Sequence, residues 1–131
     1  MPYLLDTNAC IDAMRGKPTV MAAMSARTPD NLAVSSVTCY ELFTGVEKCA
    51  DPARERNKVE TLIGTLQQVV FDLPAAIRAA RVRAELEVRG EMIGPYDVLI
   101  GGHALSLDFT LVTANTAEFA RIPGLKLENW L

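Results

Sequence analysis

The stretch YLLDTN, residues 3–8, decides how this chain folds. Tyr3 to Leu5 is a short apolar run with the length and character of a buried strand. Asp6, Thr7 and Asn8 follow at once, three residues that favour the first positions of a helix. A strand that hands over to a helix so quickly belongs to an α/β sheet, in which helices cover parallel strands. Asp6 has two readings. As an N-cap it is worth roughly 1 kcal/mol; as a ligand, it stands beyond the carboxyl end of a strand, where open α/β sheets bind. Both stay open on this stretch alone.

Working outward, the chain alternates strand and helix. The first helix runs from around Asp6–Asn8 to near Gly16, and Pro18 restarts a second through VMAAMSAR (20–27). NLAVSS (31–36) reads as the second strand. A helix from about Thr38 to Cys49 follows, then another over ARERNKVETLIGTLQQ (53–68). VVFD (69–72) is the third strand. Pro74 opens a helix that reaches about Arg89, with Gly90 as its stop. GPYDVLIGGHALSL (94–107) is again helical with proline in its first turn, FTLVT (109–113) is the fourth strand, and LKLENW (125–130) holds a short fifth. The pattern predicts an α/β fold with a mainly parallel sheet of four to five strands, in one domain over residues 1–131.

Composition narrows the function. Half of the 131 residues are apolar and 22% are charged, the profile of a packed domain with no repeat or low-complexity segment. Three cysteines, Cys10, Cys39 and Cys49, make no C-x-x-C pair, which suits small buried side chains in a reducing cytoplasm. No signal peptide and no membrane-spanning run is legible. The net charge of −3 counts against a free-standing nucleic-acid binder, unless a cation bridges to phosphate. The basic groups Arg54, Arg56 and Lys58, and the stripe Arg78, Arg81, Glu85 and Arg89, read as solvated faces, the latter with i,i+4 pairs.

Two more carboxylates pose the puzzle of Asp6. Glu41 lies in SSVTCYELFTG (35–45), where Thr38 and Glu41 fit an S/T-x-x-E capping box. Asp97 lies in IGPYDVLIGGHA (93–104), in a first helical turn where the dipole favours a negative charge by about 0.3–1 kcal/mol. Topology changes the balance, because each of these helices should begin at the same edge of the sheet. At ~5 Å and an effective dielectric of ~20, each like-charged pair repels by roughly 3 kcal/mol. That exceeds the capping gains, so a proton or a cation must relieve the cluster. Oxygen-only ligands suit Mg²⁺ or Mn²⁺ over Zn²⁺.

Other chemistries find little support. The lone histidine, His103, falls within a helix and is expected to be a satisfied core or surface residue. There is no second histidine and no G-x-S-x-G for a hydrolase triad, and no phosphate-cradling glycine loop. Gly101 and Gly102 suggest close packing. A receiver-like domain phosphorylated on Asp6 is disfavoured by the N-terminal position of that aspartate and the lack of a suitable downstream lysine.

Five segments, taken in order, resemble the PIN-domain family, and in particular the VapC toxins of bacterial toxin–antitoxin pairs: LLDTNACID (4–12), VSSVTCYELFTGVEK (34–48), VRAELEVRGEMIGPYDVLIGGHAL (82–105), LVTANTAEF (111–119) and GLKLENW (124–130). The chain is most similar to the branch specific for initiator tRNA. The resemblance implies a three-layer α/β/α sandwich, a homodimer, and an endoribonuclease dependent on Mg²⁺ or Mn²⁺. Its acidic positions fall on Asp6, Glu41 and Asp97, with Asp6 and Asp97 the principal metal ligands and Glu41 completing the shell. The fourth position falls on Asn115, where many relatives carry aspartate; a neutral oxygen there puts a full second metal site in doubt. Glu118 stands three residues on and either compensates or merely opens a short helix. Thr7, Asn8 and Thr113 either orient waters and phosphate or serve turns and caps. The resemblance further implies cleavage of exposed tRNA loops to 5′-phosphate and 3′-hydroxyl ends, and a VapB-type antitoxin that offers a basic residue to the acidic pocket. A PIN-fold protein that binds RNA or a partner without cutting is the alternative.

Overall fold

Each strand in the computed structural model, which describes residues 2–131, is short, and each but the last is followed within a few residues by a helix. The order is β1 (Tyr3–Leu5), α1 (Thr7–Met14), α2 (Pro18–Ser25), a 3₁₀ turn (Pro29–Asn31), β2 (Leu32–Ser35), α3 (Ser36–Lys48), α4 (Pro52–Gly64), β3 (Gln67–Val69), α5 (Leu73–Arg89), α6 (Pro95–Leu107), β4 (Thr110–Val112), α7 (Thr116–Phe119) and β5 (Leu127–Glu128). The local chemistry matches. Asp6, Asp51 and Asp72 cap α1, α4 and α5 through their carboxylates, prolines sit in the first turns of α2, α4, α5 and α6, and Gly90 ends α5 with φ 66°.

The five strands form one sheet in the order β3-β2-β1-β4-β5, and every neighbouring pair is parallel. Alternation along β1 sends Leu5 to one face and Leu4 to the other, because successive strand side chains point oppositely. Leu5, Val34 and Val112 pack with Ala9, Cys10, Leu42, Val46, Val59 and Ile63, from α1, α3 and α4. Leu4, Ala33 and Leu111 pack with Val82, Leu86, Val98, Ile100 and Phe119, from α5, α6 and α7. Two apolar layers on one sheet make the three-layer α/β/α sandwich. Helices α5 and α6 meet closely: a Cβ on Gly102 would stand 2.5 Å from the Cα of Ala79, and one on Gly101 2.5 Å from a methyl of Ile122. The paired glycines are packing residues, as their helical setting suggested.

The connection from β1 leads to β2 on one side, whereas β4 returns to the other side of β1. The chain reverses direction across the sheet between β1 and β4, where α/β sheets open a crevice beyond their carboxyl ends. No described helix is long and apolar enough to cross a membrane.

Several expected boundaries move. The third strand is Gln67–Val69, not VVFD, and α4 ends at Gly64. Register explains the shift, since Ala33, Val34 and Ser35 of β2 pair with Gln67, Gln68 and Val69. Val70 is left 73% exposed. The capping box at Thr38 is also replaced. Helix α3 starts at Ser36 with Ser35 as its cap, whose hydroxyl accepts the Val37 N–H at 3.1 Å. Thr38 is buried inside the helix, so Glu41 is not the reciprocal partner of a cap. On α5 the i,i+4 ion pair is Arg83–Glu87, at 2.8 Å, rather than one within the stripe Arg78, Arg81, Glu85 and Arg89.

Candidate functional site

Asp6 leaves the sheet at the reversal point. Its backbone N–H still bonds to the carbonyl of Val112, at 3.0 Å, so β1 and β4 hold it between them. Its extended backbone aims the carboxylate over the first turn of α1, where Oδ1 accepts the Ala9 N–H at 2.8 Å. The hydroxyl of Thr113, the residue after β4, bonds to the same carboxylate. Only 3% of Asp6 is exposed. Burial pushes its carboxyl above the ordinary range; the Thr113 and Ala9 hydrogen bonds oppose this, and Asp12 and Glu41 add to it by repulsion. The helix-cap reading is therefore correct, and it leaves room for a second role.

Glu41 reaches the same place from the second turn of α3. The Thr7 hydroxyl donates to its Oε1 at 2.6 Å, and the Thr7 and Thr38 hydroxyls lie 3.3 Å apart. Asp97 arrives from the first turn of α6, above Gly94, where a Cβ would stand 3.2 Å from its Oδ2. Its carboxyl is pushed up to about 6, first by burial and then by the charges of Asp6, Glu41 and Glu118. That list of neighbours locates the site: acids from four distant points of the sequence sense one another.

The remaining expected residues divide. Thr113 is buried and its oxygen also accepts the Asn115 N–H at 2.9 Å, which ties the first residue of the α7 turn to Asp6. Asn115 occupies the N-cap position of α7, but its side chain makes no capping bond. Glu118, in the first turn of α7, faces the cluster. Asn8 points to solvent on the exposed side of α1. His103 belongs to the core: its Nδ1 lies 2.9 Å from the Ser35 hydroxyl, Phe71 packs edge-on against the ring, and burial lowers its pKa. Because Ser35 also caps α3, this histidine steadies the helix that carries Glu41.

Among the described residues no ion pair involves Asp6, Glu41, Asp97 or Glu118. The hydrogen-bond partners of Asp6 and Glu41 are hydroxyls and a backbone amide, which leave the negative charge uncancelled. Nor do any three described His, Cys, Asp or Glu side chains stand close enough to enclose an ion by themselves. The donor set is thus open and all-oxygen. Such a set fits Mg²⁺ or Mn²⁺, because Mg²⁺ keeps several waters and takes one or two carboxylates. It does not fit a closed zinc site.

Sequence reasoning missed three residues here. Asp12, buried on α1, is paired with Lys17 at 3.3 Å and adds to the repulsion on Asp6. Tyr40 and Tyr96 stand at the rim, their rings 5.6 Å apart. The signal for these two was present, since each tyrosine immediately precedes one of the acids.

Comparison with known proteins identifies the family to which this fold belongs. The PIN domain model matches residues 3–125. The chain is 39% identical to the tRNA(fMet)-specific endonuclease VapC of Salmonella typhimurium, covering 99% of this chain and 98% of that relative. It is 36% identical to Ribonuclease VapC2 of Rickettsia felis, over 99% and 98% of the two chains. Among solved structures, DNA-bound VapBC from Salmonella typhimurium contains a chain that superposes with a TM-score of 0.95 at 39% identity, over 100% of this chain and 99% of that one.

Proposed function

The chain belongs to the PIN-domain family, in its VapC branch, and we propose that it is the ribonuclease toxin of a toxin–antitoxin pair. The observation that carries this reading is the uncancelled acidic cluster at the sheet's reversal point. Its substrate would be tRNA, and within tRNA the anticodon loop of the initiator, in line with the relative named as specific for tRNA(fMet). Hydrolysis would leave 5′-phosphate and 3′-hydroxyl ends in the cytoplasm.

Asp6 and Asp97 would hold Mg²⁺ or Mn²⁺, with Glu41 completing the set. Held there, a divalent ion would supply an activated water and offset negative charge on the phosphate. The protein's own part is positioning. The Ala9 N–H and the Thr113 hydroxyl orient Asp6, and the Thr7 hydroxyl fixes Glu41. Glu118 adds a fourth negative charge where Asn115 contributes only a neutral amide. No histidine base is required, consistent with the burial of His103 away from solvent.

A VapB-type antitoxin is the partner this site calls for. Solved relatives are VapBC complexes, and an acidic pocket with no cation of its own is a natural seat for an antitoxin arginine. Homodimer formation is supported by the exposed apolar residues Val70, just before α5, and Leu73 and Ile77, in its first turns.

Incubating the purified chain with a structured tRNA pool tests the reading. With Mg²⁺ or Mn²⁺ the chain should cut, and EDTA or Asp6→Ala should stop it, with 5′-end mapping placing the cuts. Because Asn115 replaces an acid, a non-cleaving binder is the second reading; intact RNA that is nonetheless bound would establish it.

A further inference from the structure

We propose that Tyr40 and Tyr96 form a stacking platform that seats an unpaired base of a single-stranded RNA segment at the mouth of the acidic cluster. The inference rests on the nuclease reading of that cluster and names how its substrate is held. Tyr40 is 57% exposed and Tyr96 41%, and they are the only exposed aromatic residues among those described. Their rings lie 5.6 Å apart with 50° between planes, and the Tyr96 hydroxyl donates to that of Tyr40 at 3.4 Å.

The contrast with the molecule's other aromatic groups is informative. The Tyr3–Trp130 pair is roofed by the Arg27 guanidinium, at 4.7 and 4.5 Å from the two ring centroids. Phe43 carries Arg56 at 5.6 Å, and Phe71 packs on His103. Among the described residues no cation covers Tyr40 or Tyr96, and each ring touches the other instead. Two different helices, α3 and α6, bring them together, each one residue before an acid of the site. One exposed ring is ordinary, but two exposed rings in contact beside the acids make a joined apolar face, the kind of surface that marks a binding site.

The charge balance says which ligand. The chain carries 13 Lys and Arg against 16 Asp and Glu, and the mouth itself is acidic, so Coulomb attraction cannot draw a polyanion there. Stacking on an aromatic face needs no charge, and it works for any base that is free of its own stack. A duplex offers no such base; a loop does. The tyrosine pair therefore selects single-stranded segments and places the neighbouring phosphate against the carboxylates.

The test uses a short single-stranded RNA carrying 2-aminopurine, whose fluorescence is quenched on stacking. With Ca²⁺ in place of Mg²⁺, a divalent ion that takes the same oxygen ligands without supporting cleavage, the wild-type chain should bind it with quenching. Tyr40→Ala and Tyr96→Ala should each weaken binding about tenfold and lose the quenching, and the Phe variants should keep both. With Mg²⁺ the Ala variants should raise KM by a similar factor and leave kcat within about twofold. Wild-type binding and quenching in both Ala variants would overturn the platform, as would a fall in kcat at constant KM. So would a change of oligomeric state on light scattering, which assigns the pair to a protein interface. Quenching without cleavage by the wild-type chain would remove the nuclease reading and leave the platform; cleavage without quenching would do the reverse.

Discussion

At Arg27 the fold sets a charge against an opposite one, and at Asp6, Glu41 and Asp97 it gathers like charges with no opposite charge beside them. The Arg27 guanidinium donates to the Ala23 carbonyl at 2.7 Å and to Glu128 at 3.3 Å, and it lies over Tyr3 and Trp130. Trp130 closes the group by donating its Nε1–H to the same Glu128 oxygen at 3.0 Å. This cluster pins the chain's last strand to its first, and its charges cancel. The acidic cluster, reached across β4 through Val112 and Thr113, does the opposite. Its hydrogen bonds fix geometry but leave the net charge standing. A charge placed for stability is cancelled inside the fold, and a charge placed for binding waits for a ligand.

Substitutions should therefore lower activity without lowering stability at the acidic cluster, and lower stability without lowering activity at Arg27. The largest effect belongs to Asp97→Asn. Cleavage should fall by at least about 10²-fold, since one of the two carboxylates proposed to hold the ion is lost. Stability without metal should rise. The carboxyl of Asp97 is raised from 3.8 to about 6 in the folded chain, so the native state holds that proton more tightly than the unfolded one. The stabilisation is complete below pH 3.8 and is lost as pH climbs through about 6, so at pH 7 the ionised group works against folding. Thermal melts in EDTA at pH 7 should show the Asn variant a few degrees above wild type. A lower melting temperature would place Asp97 with the structural charges instead.

Arg27→Ala should show the inverse pattern. Removing the guanidinium strips two aromatic rings of their cover and leaves Glu128 without its cation, a loss of about 2 kcal/mol. Chemical denaturation measures this, while kcat per folded molecule should stay at the wild-type value. The smallest effect is expected for Thr7→Val, which deletes the hydroxyl that fixes Glu41 and keeps the shape. A net loss of about 1 kcal/mol in positioning corresponds to a rate reduced roughly fivefold, read from single-turnover cleavage. An unchanged rate would mean that Glu41 needs no support.

Much of this arrangement could be read before any coordinates. Tyr3–Leu5 and Asp6 announced a strand and a helix cap, and the helix-forming segments that carry Glu41 and Asp97 followed the expected alternation. What escaped was decided by neighbours. Gln67 and Gln68 have no strand-like pattern of their own and become β3 because the backbone of β2 pairs with them. Val70 and Phe71 attracted the strand assignment by their hydrophobicity, yet the Phe71 N–H bonds to the Ser36 hydroxyl beyond the strand's end. Ser35 and Thr38 compete as caps of α3, and the end of β2 settles the contest for Ser35. The tyrosines were overlooked because exposure, not residue type, distinguishes them from core aromatics.

Calorimetric titration of Mn²⁺ into the purified chain tests the central claim most directly. At pH 7 wild type should bind the ion, with affinity falling as pH drops through about 6 and Asp97 takes up its proton; Asp97→Asn should bind far more weakly throughout. Equal binding by wild type and variant, or none by wild type at pH 7, would contradict the account.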